Sequence, residues 1–357
     1  MPRAPDHTPK SKRLTDDTTD GAIRRPATLK DIARTLSVDV STVSKVLSGG
    51  GISVRPETRQ AIMDEALRLN YRPHASARNL RMQRTGVLGI LLPNLMNPVY
   101  ASIVRGAVRR AEEAGYVMLV ADVEDEAASA TIYRRLVSER RIDGLIIAVS
   151  ARSPEIVSVI ENNPIAHVFV NRRSAIGRSV TVDDRAAGNL AARTLADAGH
   201  RHLAFIGDSD DLDTAQRRRA GFTEGCVAAG LMPFVDVVCP YSRKGGYDGI
   251  LALLDLPARP TGVFASNLLV GIGALAALRA CNVAVPGQMS VVSLDGEEAM
   301  YASPPMTAIA LPLVEMGAAA VDEVVAILQG RSPKDVVIES GSRVILRESL
   351  GPPPPPA

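Results

Sequence analysis

Short apolar runs that alternate with longer amphipathic stretches constrain the fold of residues 86–350 more than any other feature of the sequence. The runs, read as strand candidates, are Val87–Leu92, Val117–Ala121, Leu145–Val149, Ala166–Val170, Leu203–Gly207, Val235–Val238, Gly262–Ala265 and Ser290–Leu294. Helical periodicity fills the stretches between them, at 98–114, 127–140, 185–198, 215–229 and 269–280. Continuous apolar strands separated by helices are typical of buried parallel sheets in α/β layers. The pattern is longer than one compact sheet needs, so we expect two similar α/β subdomains.

Residues 29–69 show helix signals only, in three short segments. Thr28 is a candidate N-cap for the first helix, and Asp39 can cap the second. Pro56 suits the first turn of the third helix. The expected inward-facing residues are Ile32, Ala33, Leu36, Val43, Val46, Leu47, Ile62, Ala66 and Leu69. Two short helices joined by a tight turn predict a helix-turn-helix, whose second helix enters the major groove of DNA.

The charge of the chain is unevenly distributed behind a formal net value of +2. Residues 24–84 hold twelve Lys or Arg against five Asp or Glu, whereas the rest of the chain is acidic overall. A basic head on an acidic body indicates that the head alone meets a polyanion, with a solvated basic face as the alternative. On the predicted second helix, Ser41, Thr42 and Ser44 can reach phosphate oxygens or base edges, and Lys45 can donate to guanine.

Several segments of the head match one known family. They are Thr28-Leu29-Lys30-Asp31-Ile32-Ala33, Val43-Ser44-Lys45-Val46-Leu47, Thr58-Arg59 and Leu69-Asn70-Tyr71-Arg72-Pro73. In these segments the chain resembles the lactose/galactose repressor (LacI/GalR) family, and the similarity continues to about Leu350. The resemblance implies an all-α helix-turn-helix head and a type I, α/β two-lobed, periplasmic-binding-protein-like core. It also implies a cytoplasmic homodimer that binds a pseudo-palindromic operator and acts as a repressor.

The resemblance further implies the residues that contact DNA. Val40, Ser41 and Lys45 would read bases, whereas Thr42, Ser44 and Thr28 would mostly meet the backbone. For Val40, contact with a thymine methyl and simple packing are equal alternatives. The segment 73–84 matches the family's hinge, in which Leu80 would wedge into the minor groove with Arg78 and Arg81 near phosphates. An ordinary linker with one apolar contact is the alternative.

The domain boundaries follow the same resemblance. We expect an N-terminal arm at 1–26, the head at 27–72, the hinge at 73–84, the core at 85–350 and a Pro-rich tail at 351–357. Lobe one would comprise 86–183 and 312–336, and lobe two 184–311 and 337–350. Folding is expected to end near Leu350, because the following prolines cannot extend a helix or a central strand.

Ligands of open α/β sheets bind at the carboxyl ends of strands, where four polar residues are expected to converge. Asn171, Asn267 and Asp295 each follow a strand candidate, and Arg218 lies early in the helix after 203–207. Two amides, a guanidinium and a carboxylate suit vicinal hydroxyls, which favours a sugar or another polyol. These four positions also match the family's effector contacts. Weaker candidates, each more readily explained by packing, are Val99, Tyr100, Thr214 and Tyr241.

Two other functional classes were weighed. The segment Gly271-Ile-Gly273-Ala-Leu-Ala276 resembles a dinucleotide-binding fingerprint, but a strand should immediately precede its first glycine. We therefore expect those glycines inside a helix, and we expect neither an enzyme nor a cofactor or metal site. A transporter's solute-binding protein would share the core, but the basic head and the lack of an apolar leader argue against it. Three widely spaced cysteines, Cys226, Cys239 and Cys281, favour free thiols in a reducing compartment.

Overall fold

The computed structural model describes residues 27–47, 53–71, 84–123, 126–149, 154–209, 211–294, 296–339 and 341–355. These residues fall into two compact units that divide between residues 82 and 83. The predicted arm at 1–26 lies outside the described residues. So do Arg78, Leu80 and Arg81 of the predicted hinge, and Asp295 of the predicted effector site.

The first unit contains the three predicted helices: α1 (Leu29–Leu36), α2 (Val40–Leu47) and α3 (Pro56–Arg68). A capping interaction opens α1, because the Asp31 carboxylate accepts hydrogen bonds from the backbone N–H of Thr28 at 2.9 Å and from its hydroxyl at 2.7 Å. Ser37 connects α1 to α2 in the left-handed conformation at φ 51°. All nine predicted inward-facing residues lie in the core of this unit, with Ile32, Val43 and Ile62 fully buried.

The second unit is built from two parallel sheets covered by helices, as the alternating pattern predicts. Its helices are α4 (Pro98–Glu113), α5 (Glu126–Ser138), α6 (Pro154–Asn162), α7 (Asp184–Asp197), α8 (Asp213–Ala228), α9 (Arg243–Leu254), α10 (Leu268–Ala280), α11 (Glu297–Met300) and α12 (Leu313–Leu328). Its strands are β1 (Val87–Leu92), β2 (Val117–Asp122), β3 (Gly144–Ile147), β4 (Ala166–Val170), β5 (Ser179–Val182), β6 (Leu203–Gly207), β7 (Val235–Val238), β8 (Gly262–Ala265), β9 (Ser290–Leu294), β10 (Thr307–Ala310), β11 (Val336–Ile338) and β12 (Arg343–Ile345).

The two sheets define two lobes. Lobe one has the strand order β11-β5-β4-β3-β1-β2, and lobe two has the order β12-β10-β9-β8-β6-β7. Every described pairing is parallel except that of β12 with β10. The chain passes between the lobes after β5, after β10 and after β11, as expected for a core of this type.

The boundary predicted for the last crossing is wrong by a few residues. Residues 337 and 338 were assigned to lobe two, but β11 pairs with β5 and therefore belongs to lobe one. The chain enters lobe two only at β12, which pairs with β10. The physical reason is that Val337 and Ile338 complete an edge strand whose hydrogen-bond partner lies in the first sheet.

The C-terminal boundary also extends beyond Leu350. The Gly351 N–H donates to the Ser290 hydroxyl at 3.1 Å, and the Gly351 carbonyl lies 3.0 Å from Nε2 of the buried His200. Nδ1 of the same imidazole lies 2.9 Å from the Thr261 hydroxyl. Burial lowers the pKa of His200 below its ordinary value. This histidine therefore has a structural role and fixes the start of the tail.

Two helix pairs in lobe two approach each other closely at glycines. A Cβ added to Gly188 of α7 would collide with the Arg218 carbonyl oxygen of α8. A Cβ added to Gly273 of α10 would likewise collide with the Arg243 carbonyl oxygen of α9. The first pair holds α7 and α8 close together, the helices that carry Asp184 and Arg218. The second confirms that the glycines of the 271–276 segment lie inside a helix and permit packing.

Candidate functional site

One face of α2 presents the residues predicted to read DNA. Ser41 and Lys45 are exposed, and Ser44 is half-buried at the position one turn from Val40. Val40 is 36% exposed, so part of its side chain is accessible on this face. Thr42 is half-buried and lies off this face. The helix therefore offers a small apolar group, two hydroxyls and an ammonium group to one surface.

The N-terminus of α2 is fixed by Asp39. Its Oδ1 accepts a hydrogen bond from the Ser41 N–H at 2.7 Å, as a helix cap does. The hydrogen bonds from Ser41 hold the pKa of the Asp39 carboxyl below its ordinary value. Thr28 caps α1 through Asp31, so its hydroxyl already has a structural partner. Both helices of the motif thus begin at defined residues.

In the second unit, Arg218 is the centre of a buried polar network. Its guanidinium donates through Nε to Asp184 at 2.7 Å and through Nη1 to the Ser266 carbonyl at 2.9 Å. It also lies 6.0 Å from the centroid of the Tyr241 ring. Burial lowers the pKa of Arg218, but the attraction and hydrogen bonds of Asp184 and Tyr241 together outweigh it, and the pKa is raised. This side chain is therefore held charged within the fold.

Asp184 joins two arginines. It is fully buried and accepts from Arg217 at 2.5 Å as well as from Arg218. Arg217 also pairs with Asp213 in the first turn of α8 and donates to the carbonyl oxygen of Asn171 at 3.3 Å. Since Asn171 lies in lobe one and Arg217 in lobe two, this network crosses between the lobes.

Tyr241 and Asn267 lie beside this network in lobe two. The Tyr241 hydroxyl is 3.2 Å from the Ser266 hydroxyl, and burial raises the pKa of Tyr241 against the opposing effect of Arg218. Asn267 is buried and uses its Oδ1 to cap α10 by accepting from the Leu269 N–H at 2.9 Å. Asn267 therefore has a structural role that the sequence did not predict.

Lobe one contributes Asn171, Arg172 and Tyr100. Asn171 is buried in the left-handed conformation at φ 66°, and its Oδ1 has no hydrogen-bond partner among the described residues. Arg172 donates to the Tyr100 hydroxyl at 3.3 Å. Val99 is buried in the apolar core of this lobe, which fits the packing interpretation of that residue.

The structure links four of the eight predicted effector residues through a chain of contacts and adjacent residues. The chain runs from Tyr100 through Arg172 and Asn171 to Arg217, then through Asp184 to Arg218 and Tyr241. Thr214 is buried in the first turn of α8, next to Asp213. The residues missed from the sequence are Asp184, Arg217, Arg172 and Ser266. The run Arg217-Arg218-Arg219 indicates that acidic partners lie nearby. The partner Asp184 could not be identified, because it follows a strand that was not predicted.

Two family descriptions match the chain. "Bacterial regulatory proteins, lacI family" matches residues 28–74, and "Periplasmic binding protein-like domain" matches residues 192–350. The ribose operon repressor of Escherichia coli (strain K12) is 31% identical over 303 residues, covering 83% of this chain and 91% of the relative. The chain belongs to the LacI family of bacterial regulatory proteins.

Solved structures of LacI-family proteins share the fold. A complex of the transcriptional regulator CelR with cellobiose aligns with a TM-score of 0.70 at 26% identity, covering 91% of this chain and 100% of that one. The lac repressor dimer bound to operator and the anti-inducer ONPF aligns with a TM-score of 0.80 at 22% identity, covering 91% and 99%. At that identity the second comparison shows the fold alone. The predicted head and two-lobed core are both confirmed.

Proposed function

We propose that this protein is a transcriptional repressor whose affinity for operator DNA is controlled by a small molecule bound between the lobes of its core. The observation that carries the proposal is the exposed face of α2, with Val40, Ser41 and Lys45 directed away from the helical core. In a helix-turn-helix this is the helix that enters the major groove. The match of residues 28–74 to the LacI family supports the assignment.

The proposed DNA contacts divide into base readers and backbone contacts. Lys45 donates to guanine, Ser41 contacts a base edge, and Val40 meets a thymine methyl. Thr28, Thr42 and Ser44 contact the phosphate backbone. By the family resemblance, Leu80 wedges into the minor groove with Arg78 and Arg81 on the flanking phosphates. We also infer a homodimer on a pseudo-palindromic operator, since the lac repressor of similar fold is a dimer on its operator.

The proposed effector is a sugar or sugar derivative. The contact chain across the cleft offers an amide, guanidinium groups and a phenol, which together bind vicinal hydroxyls. The relatives named for cellobiose and for the ribose operon support this chemistry. We assign Asn171, Arg218, Asn267 and Asp295 to the site, with Tyr100, Thr214 and Tyr241 as additional contacts and Val99 beneath them.

We propose that effector binding changes the contacts between the lobes, and that this change alters operator affinity. Two hydrogen bonds already join the lobes: Arg217 donates to the Asn171 carbonyl oxygen, and the Arg173 N–H donates to the Asp213 carboxylate. A ligand that favours one arrangement of these contacts shifts the population of that arrangement. Coupling of about 1–3 kcal/mol would change operator affinity roughly 5–150-fold.

We infer that the protein is not an enzyme and acts in the cytoplasm, where it can reach DNA. The relatives above are transcriptional regulators, and the 271–276 glycines serve helix packing. Neither a metal-binding cluster nor a helix suited to cross a membrane occurs in the described ranges.

Selection of genomic fragments by the purified full-length protein, followed by fluorescence anisotropy, tests the proposal. We expect one short, near-palindromic sequence to be enriched. The fraction of that DNA bound should follow the concentration of protein dimer. A Lys45→Ala variant should lose this selectivity. Lys30→Ala is its control, because Lys30 is an exposed cation of α1 outside the reading face. Enrichment of no sequence at low ionic strength would contradict the proposal.

A further inference from the structure

We propose that the effector is an anionic polyol, a sugar bearing a phosphate or carboxylate group, and that Arg172 binds its negative charge. This inference deepens the proposed function and rests on it. Two features of consecutive residues carry it: the half-buried guanidinium of Arg172 has neutral partners, and the buried amide oxygen of Asn171 has no hydrogen-bond partner among the described residues.

Arg172 lies at the carboxyl edge of the first sheet, where ligands of α/β folds bind. Its Nε donates to the carbonyl oxygen of Ala148, just beyond the end of β3, at 3.1 Å. Its Nη2 donates to the hydroxyl of Tyr100, in the first turn of α4, at 3.3 Å. These two bonds fix the plane of the guanidinium and leave the Nη1 donors for another acceptor.

The neighbouring arginines are arranged differently. Arg217 pairs with Asp184 and Asp213, Arg218 with Asp184, and Arg219 with Asp236. Arg172 makes no ion pair in the part of the chain that the structure describes. A guanidinium removed from water favours a carboxylate or phosphate partner, and both oxyanions match its fork of N–H donors.

Two described carboxylates of lobe two, Asp208 and Asp213, are already engaged. Both oxygens of Asp208 accept backbone N–H groups, from Ser209 at 2.8 Å and from Tyr241 at 3.0 Å. Asp213 is held by Arg217 and by the Arg173 N–H. Hydrogen bonds and ion pairs at these oxygens reduce their repulsion of an anion bound at Arg172.

The side-chain amide of Asn171 is the second polar group of this proposed site. Its Oδ1 is buried and has no partner in the part of the chain that the structure describes, which is unfavourable unless a donor arrives. Its backbone is fixed on both sides, because its N–H donates to the Val180 carbonyl at 2.9 Å and its carbonyl accepts from Arg217. A ligand hydroxyl would satisfy Oδ1 while an adjacent anionic group meets Arg172. A hydroxyl of a neutral sugar could also accept a hydrogen bond from Arg172, but it would leave the guanidinium charge unbalanced.

Isothermal titration calorimetry of the full-length protein tests the proposal with matched compounds. Each set contains a neutral aldose, its phosphate ester and its aldonic or uronic acid. The first is glucose, glucose 6-phosphate, gluconate and glucuronate, and the second is ribose, ribose 5-phosphate and ribonate. We expect one anionic compound to bind at least tenfold more tightly than its neutral parent, and the advantage to shrink as salt rises. The phosphate and acid arms then identify which anion is bound.

Arg172→Gln should lose at least tenfold of that affinity, and Arg172→Lys should retain part of it because the charge remains. Arg173→Gln is the matched control, since its exposed side chain is adjacent in sequence. Tight binding of a neutral sugar, unchanged in Arg172→Gln, would overturn this inference while leaving the proposed regulator intact. Loss of selective DNA binding would instead contradict the proposed function. Circular dichroism of each variant establishes that it is folded.

Discussion

Replacing Asp184 by Asn tests the buried network most severely. Asp184 is fully buried and is the carboxylate shared by Arg217 and Arg218, of which Arg218 is itself 2% exposed. The amide keeps the volume but removes the negative charge, and it can accept through only one oxygen. Removing one partner of a buried ion pair costs about 3–5 kcal/mol, because the remaining charge stays desolvated and uncompensated.

The expected change in melting temperature follows from that cost. For domains of about 150–250 residues, 1 kcal/mol corresponds to roughly 2–4 °C, so the core transition should fall by roughly 6–20 °C. Differential scanning calorimetry of the full-length protein measures this. Far-UV circular dichroism follows the same transition through the loss of helix, and it replaces Trp fluorescence because the chain contains no Trp.

A matched control separates burial from ion pairing as such. Glu224 forms an ion pair with Arg185 on the surface of the same helix pair, with both side chains substantially exposed. Glu224→Gln should leave the melting temperature nearly unchanged, because exposed ion pairs contribute little. If Asp184→Asn melted with the wild type, or no lower than Glu224→Gln, the assignment of Asp184 as the electrostatic centre of the site would be refuted.

Three further predictions follow from the same structure. Lys45→Ala should cost about 1–3 kcal/mol of operator binding at one base position, whereas equal weakening on unrelated DNA in an anisotropy titration would make Lys45 a phosphate contact. Because burial lowers the pKa of His200, the unfolded chain binds the proton more readily. The free energy of unfolding measured in urea should therefore fall as pH drops below about 6.5, and His200→Gln should flatten that slope. Gly273→Ala should destabilise lobe two by about 1–3 kcal/mol in the same assay, whereas Gly287→Ala, whose added Cβ would lie 3.7 Å from its nearest neighbour, should be tolerated.

The periodic pattern predicted the fold where strands were long and apolar. All eight strand candidates are strands in the structure, with ends that differ by at most a few residues. The strands β5, β10, β11 and β12 were not predicted. β11 and β12 have only three residues each, and β5 and β10 combine a length of four residues with polar Ser or Thr side chains. Their hydrogen-bond partners, rather than their own composition, make them strands.

The candidate site was predictable only in part. Asn171 and Asn267 could be located because they follow predicted strands, and Arg218 because it lies early in the helix after a predicted strand. Asp184 could not, since its partnership with Arg217 and Arg218 depends on the close approach of α7 and α8 at Gly188. The capping role of Asn267 and the neutral surroundings of Arg172 are likewise tertiary features.

Operator affinity measured with and without the ligand of the core tests the central claim most directly. Full-length protein, the genomic fragment it selects and the tightest compound from the calorimetric panel are combined in one anisotropy titration. The account predicts that the compound changes the Kd for that fragment by roughly 5–150-fold and leaves binding to unrelated DNA unchanged. An identical Kd with and without a compound that the core binds would contradict it.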